Sequence, residues 1–141
     1  AEIGVFLAMP KLLGIFSLRT ILIFSFACAA LRFQMIGWGV DHPVMLVAAQ
    51  LLHGITFGAY HAAAVAAFNH WFQDRHQVRG QALYSSVSFG AGGMAGGLAS
   101  GLLWDTAGPL LTFTLSSLFA LIGLALILRS APDASMQSAV R

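Results

Sequence analysis

Residues 42–72 read HPVMLVAAQLLHGITFGAYHAAAVAAFNHWF, and this uncharged stretch decides the fold. It contains no Asp, Glu, Lys or Arg, and its roughly thirty residues exceed the roughly twenty that an α-helix needs to cross the core of a bilayer. A helix of this length crosses the membrane with a tilt or extends past the hydrocarbon at its ends. The sequence therefore predicts a membrane-spanning helix over 43–72.

The composition of the whole chain supports the same class of protein. Hydrophobic residues make up 58% of the 141 residues and charged residues 9%, a balance far from that of a soluble domain. The seven Lys and Arg residues lie between apolar runs rather than in one patch, which argues against nucleic-acid binding. The lone Cys28 excludes a disulfide framework and a multi-cysteine metal site. We predict an all-α integral membrane protein without a cofactor.

Further apolar segments predict a transmembrane helical bundle over residues 1–128. Complete spans are predicted at 21–39, 43–72, 81–104 and 109–128. Residues 1–13 cover only about 20 Å at 1.5 Å per residue, so we predict that they are the second half of a helix. Residues 129–141 are polar and predicted to be a frayed tail. This pattern predicts the C-terminal part of a longer membrane protein.

The charges in the predicted connections alternate in sign. In chain order they are Lys11 and Arg19, then Asp41, then Arg75 and Arg79, then Asp105, and finally Arg129 and Arg141. Because loops rich in Lys and Arg stay in the cytoplasm, the basic loops and the C-terminus are predicted to be cytoplasmic. Tryptophans at the predicted span ends (Trp38, Trp71 and Trp104) support these boundaries, since indole rings favour the membrane interface.

The polar residues of the longest span share one side of the helix. A helical wheel places the following residues on one broad arc: Gln50, His53, Thr56, Tyr60 and His61. Beside them, Gly54 and Gly58 begin a stripe of small residues that continues to Ala62 and Ala66. One side of this helix is therefore predicted to contact something polar, and the other to pack closely on a helix.

The span over 81–104 is also divided into two parts. Its first half has a polar face suited to an aqueous cavity, formed by Gln81, Tyr84, Ser85 and Ser88. Its second half has small residues at four-residue spacing, namely Gly92, Gly96 and Ser100 in one row and Gly93, Gly97 and Gly101 in another. Such rows let helix backbones approach closely. The contact is either static packing, which is the commoner case, or a mobile one.

Three ionisable residues from successive predicted spans lie at membrane depth: Glu2, Arg32 and His53. Charged side chains are costly there and usually face a cavity or a counter-ion, although Arg32 could instead extend to the outer interface. His53 or His61 could instead simply form a hydrogen bond to a neighbouring helix. His53 and His61 are eight residues apart, too far along the helix to bind one metal together. No nucleophile–base motif or phosphate loop is present, so we predict that the protein is not an enzyme.

Two motifs resemble a known family. LLHGITFGAYHAAA (residues 51–64) and WFQDRHQVRGQALYSSVSFGAGG (residues 71–93) are similar to the tenth and eleventh spans of major facilitator superfamily permeases of the phenylpropionate-permease type. These are relatives of the lactose permease group of proton symporters. The resemblance covers nearly the whole chain and implies the C-terminal part of a twelve-helix fold, with part of span eight and spans nine to twelve.

The resemblance implies a secondary active transporter of a small organic solute, such as an aromatic acid or a sugar, in a bacterial inner membrane. Arg32 and His53 match the arginine and histidine that serve proton coupling and substrate contact in the lactose permease, whereas Thr56 stands where that permease has a glutamate. Phe57 and Tyr60 would suit an aromatic substrate. The partners implied are the solute, protons, lipid and an N-terminal helical bundle. The alternatives are an uncoupled facilitator and an inactive remnant of such a permease.

Overall fold

Every element that the computed structural model describes is a helix. The structure describes residues 2–72 and 76–130, apart from the side chains of Glu2, Ile55 and His70. In chain order its elements are α1 (Glu2–Ile15), α2 (Leu18–Trp38), α3 (Pro43–Trp71), α4 (Gln77–Ser85), a π-helix (Ser86–Ala91) and α5 (Gly92–Arg129). These ranges contain no strand, so the prediction of an all-α fold is confirmed. The predicted loop charge Arg75 and nearly all of the predicted tail lie outside the described residues.

Local chemistry explains where the helices begin and end. Ser17 caps α2, because its Oγ accepts a hydrogen bond from the backbone N–H of Thr20 at 3.2 Å. Gly39 ends α2, and a Cβ there would lie 2.8 Å from Cγ of Met45, so glycine allows α3 to start this close. Pro43 begins α3, where the N–H that proline lacks would have no helical partner.

Within residues 2–72 and 76–130, three helical segments are long and apolar enough to cross a membrane: Leu18–Trp38, Pro43–Asn69 and Gln77–Arg129. The last has 53 residues, which at 1.5 Å per residue is roughly 80 Å, more than twice the thickness of a bilayer core. Its backbone breaks at Gly108, where φ is 78° and ψ is 174°, a conformation open essentially to glycine alone. Residues 77–107 and 109–129 are therefore two separate segments of spanning length, and the first starts four residues before the predicted Gln81.

Residues 109–129 of α5 pack antiparallel along α2. Near one end of α2, the Arg19 guanidinium donates to the carbonyls of Ile127 and Leu128, with the shortest distance 2.9 Å. In the middle, Ser117 Oγ donates to the carbonyl of Ala30 at 3.0 Å. Towards the other end, a Cβ at Gly37 would lie 3.2 Å from Cβ of Phe113. Contacts spread along the whole helix make α2 and residues 109–129 one tightly fitted pair.

A second packed region joins α1, the start of α2 and α3. Its buried residues are Met9 of α1, Leu18 and Ile21 of α2, and Ala59, Ala63 and Ala67 of α3. The three alanines repeat every four residues and form the row that the other helices approach most closely. The predicted stripe is thus displaced, because Ala62 and Ala66 are only partly buried beside this core, whereas Gly54 and Gly58 are buried.

The glycine-rich part of α5 is not packed by the described part of the chain. Nothing lies within 4 Å of a Cβ placed at Gly93, Gly96, Gly97 or Gly101, and at Gly92 only a carbonyl of the preceding turn does. The surrounding residues are exposed. The predicted close packing of these glycines stays a prediction, since no described helix makes it.

Candidate functional site

A cavity of about 450 Å³ lies between α2, α3 and residues 109–129 of α5. The ten residues that line it are Ser25, Phe26, Ala29, Phe33, Thr56, Phe57, Tyr60, Ser116, Phe119 and Ala120. Ser25, Ala29 and Phe33 follow one another at four-residue spacing on α2, so the cavity extends about 12 Å along that helix. Its volume is within the range of pockets that hold small organic molecules.

Half of the residues that line this cavity are aromatic. Phe26 and Tyr60 meet edge to face, with ring centroids 5.6 Å apart and planes at 86°. Phe33 stacks on Phe113 at 6.2 Å. The Arg32 guanidinium carbon lies 4.7 Å from the centroid of the Phe33 ring, an attractive cation–π position. Arg32 does not itself line the cavity, but it packs on a side chain that does.

Hydroxyl groups supply the polar part of the lining. Thr56 Oγ1 donates to the carbonyl of His53 at 3.1 Å, and Ser116 Oγ donates to the carbonyl of Thr112 at 3.0 Å. Both protons are therefore used inside the protein, and both oxygens can still accept. Ser25 is 2% exposed, and its Oγ has no hydrogen-bond partner within the described ranges.

The register of α2 against α3 is fixed by two contacts. Phe26 meets Tyr60 towards one end, and Gly39 approaches Met45 at the other. Because the helices run antiparallel between these contacts, Arg32 lies at the level of the α3 turn that contains His53. The Nε atom of Arg32 is buried and makes no hydrogen bond to any described group.

A second cluster of rings joins α3 to α4 and the π-helix. His61 Nδ1 lies 3.3 Å from the Tyr84 hydroxyl, within hydrogen-bonding distance. Phe57 stacks on His61 at 6.0 Å, and Phe89 of the π-helix meets His61 edge to face at 5.6 Å. His53 stacks on Phe57 at 5.4 Å. Phe57 therefore belongs both to this cluster and to the cavity wall.

The comparison with protein families identifies the chain. The model of the MFS_1-like family matches residues 1–115, most of the sequence. The chain belongs to the MFS_1-like family. Membership places it in the major facilitator superfamily, so it is part of a membrane transport protein. No curated protein and no solved structure matches it.

In this MFS_1-like chain the predicted site residues divide among three places. Thr56, Phe57 and Tyr60 line the cavity, while His53, His61 and Tyr84 belong to the ring cluster. Arg32 lies just behind the cavity wall. Gln81 is used elsewhere, because its Nε2 donates to Oδ1 of Asn69 at 2.6 Å. The remaining predicted positions, Gln50, Ser85 and Ser88, are exposed and outside the cavity.

The side chain of Glu2 lies outside the described residues, but the start of its helix can be located. Phe6, one turn after Glu2, meets His61 edge to face with centroids 6.3 Å apart. The first turn of α1 is thus near the middle of α3. Among the described residues, no group of three or more His, Cys, Asp or Glu is arranged to hold a metal ion.

Sequence reasoning missed seven of the ten residues that line the cavity of this MFS_1-like chain. The residues not anticipated are Ser25, Phe26, Ala29, Phe33, Ser116, Phe119 and Ala120. Ser25 is an isolated hydroxyl in an apolar run, whereas Ser116 lies among other hydroxyl residues. The four-residue spacing of Ser25, Ala29 and Phe33 was a detectable sign of a shared face. The π-helix carried no such sign, although elements of this kind often occur at functional sites.

Proposed function

We propose that this chain is the C-terminal part of a secondary active transporter that moves a small organic solute, an aromatic acid or a sugar, together with protons. The observation that carries the proposal is the cavity lined by α2, α3 and residues 109–129. In transporters, solute sites lie near the middle of the membrane between helices. Ser25, Ala29 and Phe33 occupy the middle of the 21-residue helix α2, which is the depth such a site requires.

The lining of the cavity supports binding rather than simple packing. Ligand pockets combine apolar and aromatic walls with a few polar groups that orient the ligand. Here the walls include Phe26, Phe33 and Phe57, and the polar groups are hydroxyls on three different segments. Since each segment contributes one side of the cavity, a relative shift of the helices would change its shape, as alternating access requires.

Proton coupling is assigned to Arg32, His53 and Glu2. Arg32 and His53 lie at one level of the α2–α3 pair, and α1 begins near the same part of α3. The guanidinium of Arg32, whose buried Nε makes no hydrogen bond to any described group, favours the ionised form of a carboxylate that approaches it. Movement of the helices that separates the two would let the carboxylate take a proton, which would couple proton uptake to the conformational change.

Uptake into vesicles that contain the complete transporter tests this function. We expect labelled aromatic acids or sugars to accumulate above the external concentration when an inward proton gradient is imposed. Collapse of the gradient with a protonophore should reduce the internal concentration to the external one. Equilibration without accumulation under both conditions would indicate an uncoupled facilitator, and the absence of any solute movement would contradict a transport function.

The orientation of the chain in a bacterial inner membrane is tested by cysteine labelling. With Cys28→Ala as background, a membrane-impermeant maleimide added from outside is expected to modify Thr106→Cys, in the exposed turn beside Gly108, and to spare Gln77→Cys. This result would place Arg19, Arg79 and the C-terminus in the cytoplasm. Modification of position 77 alone would reverse the orientation.

A further inference from the structure

We infer that the cavity between α2, α3 and residues 109–129 selects an uncharged aromatic compound bearing a hydroxyl group, and that Ser25 is the residue that recognises this hydroxyl. The inference rests on the proposed function, because it takes this cavity as the solute site. It keeps a small organic solute but replaces the aromatic acid or sugar with an uncharged aromatic compound, and it names a specificity residue that sequence reasoning did not find.

The absence of charge in the lining argues for an uncharged solute. None of the ten lining residues is Asp, Glu, Lys, Arg or His. An isolated charge removed from water is very unfavourable unless an opposite charge pairs with it. Arg32, the cation assigned to proton coupling, packs on the ring of Phe33 and is not among the lining residues. A carboxylate in the cavity would therefore lack a partner, whereas a neutral compound needs none.

The walls argue for an aromatic ring. Phe26, Phe33, Phe57, Tyr60 and Phe119 surround a space about 12 Å long, and Phe26 and Tyr60 already meet edge to face. Such rings attract another ring in offset or edge-to-face geometry. Phe119 is 73% exposed, so it forms the mouth of the cavity rather than its floor.

The hydrogen bonds that the three serine and threonine hydroxyls of the lining already make argue for one hydroxyl on the solute. Thr56 and Ser116 already donate their protons to backbone carbonyls and can only accept. Ser25 Oγ is buried, and no described group bonds to it, so it can both donate and accept. A single solute hydroxyl would satisfy it. A sugar carries hydroxyls on every side of its ring, and those that face the phenylalanine rings of the wall would have no partner, which is unfavourable.

Three probes of nearly equal size separate these arguments. They are para-cresol, which has a hydroxyl, para-methylanisole, in which a methyl group replaces the hydroxyl proton, and para-toluate, which is charged at neutral pH. Binding is measured by calorimetric titration of the complete transporter in lipid nanodiscs. We expect para-cresol to bind about tenfold more tightly than either of the other two, the effect of one well-formed hydrogen bond to a buried group.

Variants of the cavity assign the preference to Ser25. Ser25→Ala should remove the advantage of para-cresol over para-methylanisole and should weaken para-cresol more, because the ether oxygen can accept from Ser25 but has no proton to donate to it. Ala29→Leu, which narrows the cavity beside Ser25, should weaken all probes that bind. The matched control is Ser117→Ala, since Ser117 is equally buried but donates to Ala30 outside the cavity. It should keep the full preference for para-cresol.

Several results would overturn the inference. Equal affinities for para-cresol and para-methylanisole in the wild-type protein, tighter binding of para-toluate, or an undiminished preference in Ser25→Ala would each do so. Failure of every probe to bind would also contradict it. If the wild-type protein takes up a sugar or a charged acid and Ser25→Ala takes it up equally well, the inference about Ser25 fails but the transport function is supported. Binding of para-cresol through Ser25 without uptake of any solute would contradict transport alone.

Discussion

Arg32→Ala is expected to abolish accumulation of solute against its gradient while leaving the protein folded in the membrane. A charged arginine near the middle of a membrane helix costs about 2.5–3.5 kcal/mol on insertion scales. The contact that the structure shows in return is the cation–π interaction with Phe33, worth about 0.5–2 kcal/mol. Removing the side chain should therefore cost little stability, and a loss of accumulation would reflect function.

Accumulation and counterflow in vesicles check this result. Both are measured at equal amounts of folded protein, and Lys11→Ala is the control because Lys11 is an exposed cation on α1. We expect Arg32→Ala to bring the internal solute concentration down to the external one, and Lys11→Ala to accumulate normally. Normal accumulation by both Arg32→Ala and His53→Ala would show that these residues are structural.

Gly123→Leu is expected to disrupt the packing of α2 on residues 109–129. A Cβ at position 123 would overlap Cε1 of Phe26 and lie 2.9 Å from its Cδ1, closer than carbon atoms can approach. The Phe26 ring cannot move away freely because Tyr60 stands against it. Overpacking of this kind costs about 1–3 kcal/mol, and leucine adds three further carbons. We expect a lower melting temperature and less folded protein by size-exclusion chromatography in detergent.

A second substitution separates overpacking from other causes. Phe26→Ala in the Gly123→Leu chain should recover much of the lost stability, because it removes the ring that the leucine meets. Gly14→Leu is the control, since nothing lies within 4 Å of a Cβ at Gly14 and the residue is exposed on α1. A double variant that remains as unstable as Gly123→Leu alone would contradict the packing explanation.

The helices were predictable because the membrane imposes a length on uncharged sequence. The run between Pro43 and Phe72 becomes α3, Pro43–Trp71, and the Gly108–Pro109 pair becomes the break between two segments of spanning length. Glycine tolerates the unusual backbone at this break and proline starts the next helix, so the position of the break could be predicted from these two residues.

The partners of each helix were not predictable in the same way. In a soluble protein the buried face is apolar and the exposed face polar, whereas residues facing lipid are as apolar as those facing another helix. Exposed Phe24 and buried Ile21 of α2 are an example, because nothing in the side chains distinguishes their surroundings. The cavity depends on which helix faces meet. The place of Ser25 in its lining could therefore be recognised only once the positions of α3 and residues 109–129 were known.

The hydrogen bond from Arg19 to the carbonyl of Leu128 has a consequence for biosynthesis. The two residues are 109 positions apart in the chain. At about 5–20 residues per second, a ribosome needs roughly 5–20 s to make the sequence between them. In the later part of that interval α2 and α3 have been made, while the surface of α2 that packs on residues 109–129 is still open to lipid or to other helices. A helix made later in synthesis therefore completes the packing of α2, which was made earlier.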